Sequence, residues 1–188
     1  MITLLTAGEP VSLRSDVRQR DVYDLAGLEP ECRLLLIGMH TDQIHLDRNR
    51  DVIDGFLARG GTLVVCGHIV RPIFTGAPMW RVAASTSQTD LGVTPVTPHP
   101  VWEGVDPRDI SSRRGVSGFY GRGGYPELPA GSVVINRVHD AAVDVELRRN
   151  GGRVLLHGGN DLWGYRAEGN SAERILPQLL RWGTEDWV

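Results

Sequence analysis

The sequence predicts an α/β sandwich, with a mostly parallel central sheet and an antiparallel hairpin near the C-terminus. Three observations predict it. Two distant segments read alike, Gly60-Gly61-Thr62-Leu63-Val64-Val65-Cys66-Gly67-His68 and Gly151-Gly152-Arg153-Val154-Leu155-Leu156-His157-Gly158-Gly159. Each is a glycine pair, a short apolar run and a reactive side chain against glycine, the pattern of a strand buried on both faces. Residues 33–66 read as strand, loop, helix and strand, the unit that builds parallel sheets through right-handed crossovers. Asn150-Gly151 between two strand-like runs is a strong hairpin signal.

The elements follow in order. Met1 to Thr6 is a first strand, and Gly8-Glu9-Pro10 breaks it. Residues 12–29 are polar and mixed, with Val17, Val22, Leu25 and Leu28 as core contacts. Arg33 to Gly38 is a buried strand that opens into the polar loop Met39-His40-Thr41-Asp42. A helix over about Leu46 to Ala58 sets Leu46, Val52, Ile53, Phe56 and Leu57 on one stripe, and Gly60 stops it. Residues 71–131 are rich in glycine and proline and carry only short elements, among them Trp80 to Ala83 and a loop at His99-Pro100. Three strands then crowd together, at Ser132–Val138, Ala142–Arg148 and Arg153–His157. A last helix, Ser171 to Trp182, turns Ile175, Leu176, Leu179 and Trp182 inward and is bent or divided by Pro177. The whole is expected to be one domain, residues 1–188, with a flavodoxin-like three-layer architecture.

Composition narrows the function. A chain of 188 residues can bury a real core. Nothing approaches the roughly 18 apolar residues that span a bilayer, and Met1 to Leu5 lacks the basic start of a signal peptide. A cytoplasmic protein without a membrane partner is the expectation. Cys32 and Cys66 are the only cysteines, too few for a disulfide framework, and are read as free thiols. A net charge of −3 argues against nucleic acid as a partner. All 20 basic residues are arginine, which excludes a Schiff-base lysine, a Walker-type lysine and a Ser-Lys dyad.

Strand carboxyl ends form the ligand crevice of an open α/β sheet, so Cys66, His68 and His157 are expected to converge. A cysteine at a strand-to-helix turn is a nucleophile when a base or helix dipole lowers its pKa, and is otherwise a small buried hydrophobe. The nucleophilic reading takes Cys66 as nucleophile, His157 as base and Asp161 or Asn160 as its orienting partner. The Gly38 and Met39 amides then supply an oxyanion hole. His40, Asp42, Gly67, His68, Asn160, Trp163 and Tyr165 complete the ligand-binding set, with Trp163 as a stacking face.

The same residues carry a resemblance. The Gly60-Gly61 strand running into Cys66 and His68, His99-Pro100 followed by Gly104, and Val143 to Leu147 leading to Gly151-Gly152-Arg153-Val154 and His157 resemble the class I glutamine amidotransferase-like superfamily, most closely its ThuA-like branch. The resemblance implies a flavodoxin-like sandwich and a link to sugars. Two positions depart from the superfamily's pattern. Val65-Cys66-Gly67 lacks a glycine two residues before the cysteine, and no glutamate stands two residues after His157. A complete Cys-His-Glu triad is therefore absent, and glutamine hydrolysis is not implied.

The leading expectation is binding, and hydrolytic or transfer chemistry, on a small polar, sugar-like molecule, with no cofactor. One alternative is a non-catalytic interaction or assembly module of the same fold, told apart by whether Cys66 and His157 both point into packed core. Another is a metal-dependent hydrolase drawing on His40, His45, His68, His99, His139, His157, Asp42, Asp161 and Cys66, although no pair has a tight ligand spacing. Residues 111–125, rich in arginine, glycine and aromatics, suit either an anion grip or a surface loop. Apolar residues around Trp182 to Val188 are compatible with a homodimer.

Overall fold

The computed structural model describes residues 1–6, 13–113 and 115–185 of the 188. The predicted break at Gly8-Glu9-Pro10 and the apolar end at Trp187-Val188 lie outside those residues.

Eight strands form one sheet: β1 (Ile2–Thr6), β2 (Val17–Asp21), β3 (Leu34–Ile37), β4 (Thr62–Cys66), β5 (Val93–Pro95), β6 (Val133–Val138), β7 (Ala141–Arg149) and β8 (Gly152–His157). Their spatial order is β2-β1-β3-β4-β8-β7-β6-β5. Pairings from β2 through β8 are parallel, and those from β8 through β5 antiparallel. The sheet is thus an α/β sheet of flavodoxin-like order at one end, extended by an antiparallel half at the other. At the β7–β8 turn Asn150 and Gly151 both have positive φ, 51° and 86°, the type I′ geometry whose twist matches paired strands.

Side chains on β3 alternate between two cores. Leu34 and Leu36 pack with Leu4, Val64, Leu155 and α4 (Ile175–Thr184), while Leu35 and Ile37 pack with Leu63, Val65, Leu156 and α2 (Arg50–Ala58). This is the three-layer arrangement, with both sheet faces covered, that continuous apolar strands demand.

Three local differences from the sequence reading have clear causes. The first helix is divided into α1 (Gln43–Arg48) and α2, because Asn49 leaves helical geometry at φ −113°. Asp42 caps α1 by accepting the Ile44 and His45 amides, so the helix starts three residues earlier than its apolar stripe. The last helical segment agrees with the reading: a short 3₁₀ turn (Ser171–Arg174) leads into α4, and Pro177 falls in the first turn of α4, where its missing amide does no harm. The strands β2 and β5 lie at the two edges, where a buried face is not required, and their sequences (VRQRD and VTP) carry no apolar pattern. Between β5 and β6 lie a 3₁₀ turn (Pro100–Trp102) and the short helix α3 (Pro107–Ser111).

Candidate functional site

The twin segments finish side by side. β4 and β8 are parallel neighbours with Cys66 opposite His157. The register continues across the sheet, His157 opposite Asp144 on β7 and Asp144 opposite Asn136 on β6. Four polar or thiol side chains thus stand in one row, all at most 3% exposed.

The row is organised around Asp144, which is completely buried. Its carboxylate accepts from His157 Nδ1 at 2.6 Å, from the Tyr120 hydroxyl at 2.5 Å and from Asn136 Nδ2 at 2.8 Å. The Trp102 indole in turn donates to the Tyr120 oxygen at 2.7 Å. A buried carboxylate is tolerable only when its lone pairs are satisfied in this way. The acceptor also fixes the imidazole: Nδ1 carries hydrogen, and Nε2 is left over. That Nε2 is buried and has no hydrogen-bond partner among the described residues.

Backbone from residues 118–124 and 158–160 covers the row. Gly159 passes so close to the Tyr120 carbonyl that a Cβ there would stand 1.6 Å from its oxygen and 2.9 Å from His157 Nε2. Gly67, at φ 100°, lets β4 turn away at its end, where a Cβ would fall 2.7 Å from Met39. Above this cover lies a cleft of about 240 Å³, lined by Met39, His68, Phe119, Arg122, Asn160 and glycines 118, 121 and 159. Met39, His68 and Asn160 follow β3, β4 and β8, so the cleft opens at the strand carboxyl ends, where ligands bind in such sheets.

The cleft has a distinct polar character. Arg122 is exposed, and its guanidinium makes no ion pair or hydrogen bond among the described residues. The His68 ring stacks on Trp80 at 3.7 Å and 15°, and the Trp80 indole donates to the Gly158 carbonyl at 3.1 Å. Partial burial, helped by the nearby His157, pulls the His68 pKa below its ordinary 6.5.

Several assigned roles change. Cys66 is 3% exposed, inside the core beside α4, and burial pushes its thiol well above the ordinary range, with Asp161 and Asp144 adding to the rise. A protonated, enclosed thiol is a packing group, so the nucleophile assignment has no physical support. Asp161 does not orient His157; Asp144 does. Asp161 instead accepts the Met39 amide at 2.7 Å, and burial raises its carboxyl pKa. That amide is therefore spent, and the Gly38 amide is directed at the Leu5 carbonyl at 3.5 Å, so they form no oxyanion hole. Asp42 is the α1 cap and also accepts from Tyr23, while His40 is exposed and lines no part of the cleft. Trp163 and Tyr165 are 2% and 1% exposed, core residues rather than stacking faces. Of the assigned binding set, Met39, His68 and Asn160 line the cleft, and Gly38 and Gly67 shape the strand ends beside it.

Sequence reasoning missed Asp144, Asn136 and Trp80, and reached Tyr120 and Arg122 only as members of the 111–125 segment, read as either an anion grip or a surface loop. Asp144 had a signal: a lone carboxylate inside the apolar run Ala142-Val143-Asp144-Val145. In the 111–125 segment, Arg113 is an anchor, bonded to Glu168 at 2.6 Å and to the Gly164 carbonyl at 2.8 Å, while Arg122 faces the cleft. Among the described residues no three His, Cys, Asp or Glu side chains are grouped to hold a metal. No helix among them is long and apolar enough to cross a membrane.

No family model and no curated protein sequence matches the chain. Solved structures do resemble it. Cytoplasmic Protein STM3548 from Salmonella typhimurium aligns with a TM-score of 0.58 at 12% identity, over 91% of this chain and 82% of that one. Cytoplasmic Protein STM1381 from Salmonella typhimurium LT2 gives 0.55 at 12%, over 90% and 82%. The mmIFT52 N-terminal domain gives 0.52 at 11%, over 100% of this chain and 99% of that domain. At such identities the likeness establishes a shared fold and nothing about activity.

Proposed function

We propose that this chain binds a small polar, sugar-like molecule at the strand-end cleft, and that Cys66 takes no chemical part. The observation that carries the reading is the meeting of Arg122, Asn160 and His68 around one cleft at the ends of β3, β4 and β8. Its volume of about 240 Å³ lies below the roughly 300–1,000 Å³ of pockets for drug-sized ligands and suits a monosaccharide. The unpaired guanidinium favours a sugar bearing a carboxylate or phosphate over its neutral parent. Kinship with the glutamine amidotransferase-like superfamily and its ThuA-like branch belongs to the same proposal, supported by the strand order and the paired strand ends. So do a single domain over 1–188 and a cytoplasmic location, the latter supported by the two neighbours labelled cytoplasmic.

Calorimetry with monosaccharides, their uronic acids and their phosphates tests the reading. An acidic sugar is expected to bind about tenfold more tightly than its neutral parent, and Arg122→Ala to erase that preference. Cys66→Ala is expected to leave affinity unchanged. No binding by any member of the panel, or binding indifferent to both Arg122→Ala and Asn160→Ala, refutes it.

A second reading has its own support. Cys66 and His157 both point into packed core, which favours a non-catalytic interaction module of this fold. A metal-dependent hydrolase lacks a comparable grouping of ligands among the described residues.

A further inference from the structure

A larger cavity lies elsewhere, between the β5–β6 side of the sheet and the segment leading through α3. It measures about 510 Å³, inside the range of small-molecule sites. Pro95 and Ile135 form its sheet wall, and Trp102, Val105, Pro107 and Ile110 face them. Two buried polar side chains also line it, His99 and Asn136, at 9% and 2% exposure.

These two differ in what they have left to offer. Both ring nitrogens of His99 are engaged: Nδ1 accepts the Val101 amide at 3.2 Å, and Nε2 meets Glu146 at 3.2 Å. The indole of Trp102 is likewise committed to Tyr120. Asn136 is held at one end only. Asp144 is an acceptor, so the amide must turn Nδ2 toward it, at 2.8 Å. Oδ1 is then the remaining atom, and it accepts no hydrogen bond among the described residues. That oxygen is not among the fully buried atoms left without a partner, so it is reachable from the cavity that Asn136 lines and has acceptor capacity to offer a ligand. The rim carries the carboxylate-bearing Glu103, which repels anions.

We propose that this cavity is a second binding site, for a small, largely apolar molecule carrying one uncharged hydrogen-bond donor, a hydroxyl or N–H, that pairs with Asn136 Oδ1. The apolar body packs against Trp102, Ile110 and Ile135. The site is independent of the strand-end cleft and takes ligands of the opposite character, uncharged and hydrophobic rather than acidic and polar.

The test uses three probes of one shape on the unaltered protein: 1-naphthol, 1-methoxynaphthalene and 1-naphthoate, followed by amide chemical shifts. Naphthol is expected to perturb Val105, Ile110 and Ile135 and to bind about tenfold more tightly than its methyl ether, which cannot donate. Naphthoate is expected to bind at least as poorly as the ether. Val105→Trp, which narrows the cavity from a half-buried wall position, is expected to abolish naphthol binding. Equal affinity for naphthol and its ether overturns the assignment of Asn136 as acceptor. Absence of binding, or shifts centred on Arg122 and Asn160 instead, overturns the site, and these results hold whether or not the Val105→Trp variant folds.

Discussion

Asp144 is the residue on which the interior depends. It is wholly buried and holds His157, Tyr120 and Asn136 through three hydrogen bonds. Asp144→Asn replaces an acceptor with a group whose amide hydrogens face existing donors, and is expected to lower stability by about 3–5 kcal/mol in denaturant titrations. The paired change Asp144→Leu with His157→Leu removes the carboxylate and the imidazole together and is expected to be milder than Asp144→Asn alone, because no buried imidazole N–H is left facing another donor. His68 gives a pH-dependent counterpart. Its folded pKa is depressed, chiefly by burial, so the neutral ring is the favoured form. Its contribution to stability is present above its ordinary 6.5 and is lost as pH falls through the lower folded value. Proton NMR of the ring is expected to place its midpoint below 6.5, and a midpoint above that value contradicts the burial argument. At this scale the sequence was half legible. The neighbouring positions of Cys66 and His157 could be read from the matching cassettes. The partner of His157 could not, because Asp161 is near in sequence while Asp144 is near in space through an antiparallel register.

Among elements, periodicity revealed what is buried and missed what is not. β3, β4 and β8 are apolar on both faces, so their strands were readable nearly to the residue. Edge strands β2 and β5 carry polar sequences and were legible only as irregular chain. The covering segment 118–124 had no period to read, since its position depends on close backbone contacts with the sheet. Gly159 is the sharpest of these contacts. Gly159→Ala sets a methyl group 1.6 Å from the Tyr120 oxygen, so the cover must move. It is expected to destabilise the fold by at least about 1–3 kcal/mol. Gly92→Ala, with no atom within 4 Å of the new methyl, is expected to change stability by less than about 0.5 kcal/mol in the same assay. Equal effects from the two would mean that the cover is not packed on the strand ends as described.

For the whole molecule, the polar row joins two places of different chemistry. At one end His157 lies beneath the floor of the strand-end cleft, and at the other Asn136 lines the larger cavity. The parallel half of the sheet, and with it the crevice at its carboxyl ends, followed from the crossover unit and the glycine-bounded strands. The larger cavity did not, because residues 95–110 that wall it are proline-rich and irregular. Structural neighbours share this architecture at 11–12% identity, which speaks to fold alone, so the binding proposal rests on the side chains at the strand ends. Chemical-shift mapping with an acidic monosaccharide tests that most directly. The amides of Met39, His68, Arg122, Gly159 and Asn160 are expected to move together along one saturable curve. Shifts absent up to the sugar's solubility limit, or confined to residues away from the ends of β3, β4 and β8, would contradict it.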